Sequence, residues 1–296
     1  MRPVARITVA VAACDRPAPL ARCLEAIARG ATLPAQLVVV DQSADDGVEA
    51  EVAALVVPGV AVQYIRQPRH GLSASRNAAL GAATQPMVAF TDDDCVPDRG
   101  WLEAVQAALA VADPPCAVAG RVLPLGESTE GTYPVSPRRA DEPTEYRVGA
   151  VPWAVGTGGN FAASRAWLDR VGRFDERLGA GSPGKAAEDA DLIYRLLRAG
   201  GVVRYEPASV VYHARQTEQQ RLRSRWTYGF GIGAACVLWA RRGDLAALRL
   251  FGTWAGKQVM LLGRALAGRD GFLVRQRLLS LRGGTRGFFH GFRLSP

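Results

Sequence analysis

The chain has no Cys-x-x-Cys pair, and its five cysteines (Cys14, Cys23, Cys95, Cys116, Cys236) are scattered and odd in number. That argues against a disulfide framework or a zinc site, and it suits a reducing compartment. No apolar h-region follows Met1-Arg2-Pro3, so no signal peptide is expected. No apolar run is long enough to span a bilayer: Tyr228 to Ala240 covers only thirteen residues, and later stretches are interrupted by Arg249, Lys257 and Arg264. No Gly-x-Gly-x-x-Gly follows the first strand pattern, which disfavours a dinucleotide fold, and no Gly-x-x-x-x-Gly-Lys-Ser/Thr occurs. Any nucleotide phosphates must be held in another way, and a carboxylate-bound cation is one.

What is present is a large apolar inventory, 48% of 296 residues, enough for one large core. Strand patterns at Arg6–Ala12, Leu37–Val40, Val60–Ile65 and Met87–Phe90 alternate with helical patterns of about ten residues, which reads as a doubly wound parallel sheet. A helix is predicted over Trp101–Val111, ended by Pro114-Pro115, and a strand over Ala117–Leu123. Glu127 to Pro143 reads as a mobile loop. A glycine-rich turn, Gly156-Thr157-Gly158-Gly159-Asn160, precedes Phe161. A helix is predicted from Glu188 to Leu197, then two short strands, Val203–Tyr205 and Val210–Tyr212, the second ending at His213.

Acidic residues follow three of the apolar strands: Asp15 after the first, Asp41 after the second, and Asp92-Asp93-Asp94 after the fourth. Parallel strands project all of these from one edge, where ligands bind in open α/β sheets. Three consecutive carboxylates repel one another unless solvent or a cation neutralises them, and hard oxygen ligands suit Mg²⁺ or Mn²⁺. An acidic solvated turn is the plainer alternative. So is a turn or helix-capping role for Asp41, ordinary N-terminal helix charge for Glu188 and Asp189, and a core position for His213.

The net charge of +8 is unevenly distributed: residues 215–296 carry +12 and residues 1–214 carry −4. A basic C-terminal region suggests an anionic partner. Three roles compete for it: lying on an anionic membrane surface, shaping an acceptor site, or forming a homo-oligomer interface. Nucleic-acid binding lacks any recognition motif, and the aromatics there (Trp226, Tyr228, Phe230, Trp239) read as core or interface.

Several short segments, taken in order, resemble family 2 glycosyltransferases of the GT-A fold. They are Val38-Val39-Val40-Asp41-Gln42-Ser43, Gly71-Leu72-Ser73-Ala74-Ser75-Arg76-Asn77, Thr91-Asp92-Asp93-Asp94, Gly158-Gly159-Asn160-Phe161, Val171 to Glu176, Glu188-Asp189-Ala190-Asp191-Leu192 and Tyr212-His213. The resemblance covers about Val9 to His213. It implies a GT-A type, mostly parallel sheet flanked by helices, with a C-terminal helical appendage. The implied domains are a catalytic 1–214, with a nucleotide-sugar half at about 1–123 and an acceptor half at about 124–214, and a basic helical 215–296.

The implied reaction is inverting transfer from a nucleotide sugar, with UDP favoured, to a hydroxyl acceptor such as a lipid-linked glycan or a natural product. Asp41 would contact the nucleobase and Arg76 the nucleotide end of the donor. Asp15, Asp93, Gly158, Gly159 and Asn160 would complete the donor site. Asp92 and Asp94 would hold Mn²⁺ or Mg²⁺, with Asp94 the direct ligand and His213 completing the set. Asp189 would be the catalytic base, with Glu188 beside it. A cytoplasmic enzyme is implied, with peripheral contact at the inner membrane face if the basic region binds lipid. One departure is Ala13-Cys14-Asp15-Arg16, where the family commonly has a Thr-Tyr-Asn-Arg-like stretch. Nucleotidyl transfer on a similar fold is the rival reaction, disfavoured because no glycine- and lysine-rich opening is present.

Overall fold

The computed structural model describes residues 2–111 and 115–295. The first part alternates strands and helices: β1 (Val4–Ala13), α1 (Pro17–Ala28), β2 (Leu33–Asp41), α2 (Gly47–Ala54), β3 (Ala61–Arg66), α3 (Leu72–Ala82), β4 (Met87–Asp92), a short β5 (Cys95–Pro97) and α4 (Trp101–Leu109). There follow β6 (Ala117–Pro124), β7 (Thr132–Tyr133), β8 (Thr144–Tyr146), α5 (Pro152–Val155), a 3-10 turn at Gly158–Asn160, β9 (Phe161–Ser164), α6 (Arg165–Val171), α7 (Glu188–Arg198) and β10 (Val203–His213). After β11 (Gln216–Thr217) come three long helices, α8 (Glu218–Arg241), α9 (Ala246–Ala267) and α10 (Gly271–Gly291).

Nine strands form one sheet in the order β3-β2-β1-β4-β9-β6-β10-β5, with β8 also paired to β10. The pairs β3–β2, β2–β1 and β1–β4 are parallel. β9 runs antiparallel to both β4 and β6, and β6 is parallel to β10. Hence β6 and β10 point the same way as β1 and β4, and their carboxyl ends meet at one edge. Successive residues of the inner strands face opposite sides. Val38, Val40, Val88 and Phe90 enter one apolar layer with α3 and α7. Leu37, Val39, Val9 and Val11 enter the other with α1 and α4. Burial on both faces is why these strands read as unbroken apolar runs.

The structure departs from the sequence reading in several places. The two short strands near residue 205 are one strand, β10, with an irregularity in its register between Glu206 and Val210. Strand β9 and helix α6 carry no clear pattern, because four residues pinned between β4 and β6 are too few to show a period. The segment Glu127–Pro143 is tied down: β7 pairs with β11, and Arg138 pairs with Val122. Pro114 of the expected Pro-Pro break lies outside the described residues.

The C-terminal helices lean on α7. One apolar cluster unites Leu178, Ala190 and Tyr194 with Ala234, Cys236, Leu238, Trp239 and Leu294. Tyr194 and Trp239 stack at 3.9 Å between ring centroids. Asp191, fully buried, accepts from Trp239 Nε1 at 2.8 Å and pairs with Arg195 at 2.8 Å. Helices α8 and α10 touch through glycines: a Cβ on Gly287 would lie 1.9 Å from the Phe230 carbonyl oxygen, and one on Gly233 2.2 Å from that of Gly284. Among the described residues no helix is long and apolar enough to cross a membrane.

Candidate active site

A cleft of about 960 Å³ opens at the carboxyl edge of the sheet, walled on its far side by α8, α9 and α10. Strand register fixes its floor. Ala12 of β1 lies beside Asp92, Ala13 lies beside Asp41, and His213 at the end of β10 pairs with Cys95. Two residues distant in sequence, Asp94 and His213, thereby meet: His213 Nε2 lies 3.6 Å from Asp94 Oδ1. Donor atoms of Asp92, Asp94, Cys95 and His213 all fall within 4.8 Å of one another.

This donor set fits a hard divalent ion. His213 Nδ1 lies 3.0 Å from the Ala214 carbonyl oxygen, a contact that calls for a proton on Nδ1 and leaves Nε2 as the ligating nitrogen. Burial pushes the Cys95 thiol up, which leaves two carboxylates and an imidazole as the natural donors. Two carboxylate charges about 4 Å apart repel by roughly 4 kcal/mol at an effective dielectric of 20, so counter-charge is required.

Two arginines supply part of it. Arg16 reaches Asp93 at 2.5 Å and Asp94 at 2.7 Å. Asp93 is nonetheless pushed up to about 7, by burial first and by its two aspartate neighbours, against the pull of Arg16. Arg76, 3% exposed on α3, bridges Asp92 and Glu188 at 2.9 Å each, with its guanidinium 5.5 Å from the Phe174 ring centroid. It therefore ties the strand-end cluster to the start of α7. Gly158 makes this possible, because a Cβ there would lie 2.4 Å from Arg76 Nη2.

Helix α7 opens on Glu188 and Asp189 after two non-glycine residues in the left-handed region, Lys185 (φ 68°) and Ala187 (φ 74°). Such backbone stores strain of about 1–3 kcal/mol per residue and clusters at functional sites. Asp189 accepts from Gly158 N at 2.9 Å and from Ala190 N at 2.7 Å, which fixes its carboxylate toward the cleft that it lines. Glu188 is buried, and burial first and Asp189 second push it up to about 7. Asp191, the next carboxylate, faces away into the seam with α8.

Other expected residues are differently occupied. Asp41 is fully buried, accepting from Ser43 N at 2.7 Å and Tyr64 Oη at 2.8 Å, while its neighbour Gln42 lines the cleft. Gln42 Oε1 accepts from His70 N and Gly71 N, which sets the approach to α3. Asp15 is exposed, pairs with Arg69, and is held below the usual carboxylate range chiefly by the Ala44 N–H. Asn160 is a clamp rather than a free donor-site group: it accepts from Trp101 Nε1 and donates to the carbonyls of Arg121 and Ser209. Gly159 lies against Asp92, where a Cβ would sit 3.0 Å from Oδ2. The sequence reading missed Arg16, Arg138 and the α8–α10 side chains Arg221, Arg225, Tyr228 and Arg277, all of which line the cleft. Only the +12 charge of the C-terminal region hinted at the last group.

The profile described as glycosyl transferase family 2 matches residues 8–172, and that of glycosyl transferase family group 2 matches residues 142–288. A pre-mycofactocin glycosyltransferase of Mycobacterium tuberculosis is 31% identical over 232 residues, covering 70% of this chain and 46% of that protein. An Escherichia coli chondroitin synthase is 24% identical over 210 residues, covering 60% of this chain and 30% of that protein. This chain thus spans less than half the length of either relative.

Among solved structures, the mannosyltransferase PcManGT of Pyrobaculum calidifontis, in complex with GDP-Man and Mn²⁺, superposes with a TM-score of 0.62 at 18% identity. The match covers 98% of this chain and 88% of that one. Staphylococcus aureus TarS 1–349 superposes with a TM-score of 0.58 at 17% identity, over 80% and 65% of the two chains. These likenesses establish the fold, a GT-A arrangement. With a family profile matched across more than half its length, the chain belongs to glycosyl transferase family 2.

Proposed function

We propose that this protein transfers a sugar, with inversion, from a nucleoside-diphosphate sugar to a hydroxyl acceptor. The observation that carries the reading is the meeting, in one cleft, of a cation donor set (Asp92, Asp94, His213) with a carboxylate at a helix start (Asp189). A divalent cation, Mn²⁺ or Mg²⁺, would be held by Asp92, Asp94 and His213. When bound it neutralises negative charge on the departing diphosphate.

The chain's own residues do the rest. Asp189 takes the proton of the attacking hydroxyl, its carboxylate oriented by the N–H groups of Gly158 and Ala190. Arg76 keeps Asp92 and Glu188 at fixed separation, so the cation side and the base side of the cleft move as one unit. Gln42 and Ser75 line the cleft near the Asp41 edge, where the nucleoside would lie. UDP is the favoured nucleotide. TarS has been solved with UDP and with UDP-GlcNAc, and GalNAc-T7 with UDP, GalNAc and Mn²⁺, whereas PcManGT holds GDP-Man.

The test is thermal stabilisation by UDP and by GDP, each with Mn²⁺, Mg²⁺ or chelator, followed by a panel of nucleotide sugars scored for release of free nucleotide. Ion-dependent stabilisation by UDP and turnover of a UDP-sugar are expected. A protein that no nucleoside diphosphate stabilises and that cleaves no donor would refute the reading.

A further inference from the structure

Of the thirteen large apolar side chains that the fold leaves exposed among the described residues, nine lie between Leu245 and Phe292, on or beside α9 and α10. They are not scattered. At about 100° per residue, Leu248, Val259 and Leu266 share one face of α9. Leu278, Phe289 and Phe292 likewise share one face of α10. Only Gly268-Arg269-Asp270 joins the two helices, which therefore run antiparallel. Phe251 stacks on Phe288 at 4.8 Å between ring centroids, and the Trp254 ring lies against Gly284. With α10 packed on α8 through its glycines, these contacts turn both apolar faces to the side of the pair away from α8.

Basic side chains border this strip. Arg249, Lys257 and Arg264 run along α9, and Arg275, Arg282 and Arg286 along α10, all of them exposed. On each helix they occupy the margin turned away from the other helix. Neither helix contains an acidic residue to balance them. An apolar strip of this length, left bare and rimmed by charge, marks an interaction surface. A second copy of the chain fits it poorly, because a two-fold contact sets each basic margin against basic margins with no carboxylate to pair them. An anionic lipid surface suits both parts. The apolar side chains enter the headgroup boundary and the basic ones meet the lipid phosphates. Among the described residues no helix can cross a bilayer, so the pair would lie along the surface and not through it.

We propose that the outer face of α9 and α10 docks this protein on an anionic lipid membrane, both helices lying in the plane of the headgroups. The opposite face of α9 lines the cleft through Trp254 and Gln258. Docking thus holds the cleft roughly one helix diameter above the headgroups. An acceptor carried on a lipid would reach it there, a consequence that rests on the transferase reading above; the docking itself does not.

The test is co-sedimentation of the full chain with phosphatidylcholine vesicles, with and without phosphatidylglycerol, at low and high salt and with no nucleotide present. Binding should require phosphatidylglycerol and weaken as salt screens the charges. A basic residue near an anionic surface is worth about fivefold in partition, so Lys257→Gln with Arg264→Gln should weaken binding at least about tenfold. Val259→Ser with Phe289→Ser should weaken it as well, at the same salt. These two side chains are 58% and 64% exposed, so both variants should melt with wild type. Val259→Ser alone keeps the test valid if the double variant folds poorly. Wild type that stays in the supernatant with anionic vesicles would overturn the proposal, as would binding indifferent to the apolar substitutions. A dimer in solution that Val259→Ser with Phe289→Ser dissolves would assign the face to a second copy and overturn it too. Because no nucleotide enters the assay, none of these results bears on the transferase reading.

Discussion

Asp189→Asn separates the chemistry of the base from its structural role. The carboxylate accepts two backbone N–H groups, from Gly158 and from Ala190. An asparagine can offer oxygen to only one of them, and its NH₂ must then face the other donor. One hydrogen bond is lost and one N–H loses its partner, a cost of about 1–3 kcal/mol in folding stability. The catalytic loss is larger and independent. A positioned general base contributes about 10²- to 10⁴-fold, or about 3–5 kcal/mol of barrier, and an amide cannot take the proton. Turnover should therefore fall at least a hundredfold while the melting temperature falls only modestly. Donor affinity should stay within a few-fold of wild type, because the Asp92, Asp94 and His213 set is untouched. The assay follows release of nucleoside diphosphate from the best donor, with nucleotide affinity measured separately by titration. Wild-type turnover in a folded variant would refute the assignment. Equal losses in affinity and turnover would show that the Gly158 turn, not the proton transfer, had been damaged.

Asp94→Ala should fold, since its side chain is at the cleft surface, yet lose the Mn²⁺-dependent stabilisation by UDP; full turnover of wild type in excess chelator would remove the cation from the reading. Arg76→Met should cost about 3–5 kcal/mol in urea unfolding, because it leaves Asp92 and Glu188 facing each other without a counter-charge, and a loss under 1 kcal/mol would mean that solvent already screens them. Glu188, raised to about 7 in the folded protein from an ordinary 4.5, holds a proton that the unfolded chain releases, so its contribution favours folding at low pH and is lost as pH rises through about 7. In chelator, wild type should thus lose stability relative to Glu188→Gln between pH 4.5 and 7, and the opposite trend would show that pairing with Arg76 outweighs burial. Gly287→Ala drives a Cβ to within 1.9 Å of the Phe230 carbonyl oxygen, and should lower stability by about 1–3 kcal/mol despite about 1 kcal/mol of gain in helix propensity; Gly252→Ala, with open space around it, should show only the gain.

The sequence by itself determined the sheet and the edge at which acidic residues gather. Runs such as Leu37–Val40 and Val88–Phe90 are apolar on both faces, and a strand buried on both faces has few other stable environments. Chain order then puts Asp41 and Asp92 at the carboxyl ends of the two parallel strands that flank β1, and Glu188 and Asp189 at the opening of a strongly patterned helix. What lay beyond local pattern was which of those groups are free. Asp41 and Asn160 look identical in sequence to solvent-facing polar residues, and only tertiary contacts with Tyr64, Trp101 and Ser209 show them enclosed. Arg76, which holds Asp92, reaches Glu188 across 112 residues, and Asp94 meets His213 because β5 folds back onto β10. The far wall was least legible. The glycines Gly229 and Gly233 of α8, and Gly283, Gly287 and Gly291 of α10, recur at four-residue spacing, a trace of close helix packing. That spacing does not say which helices meet. Their contact carries Arg221, Arg225 and Arg277 into the cleft, and only three-dimensional packing decides it, because helix partners are chosen by surfaces complementary across distant segments and not by any period within one.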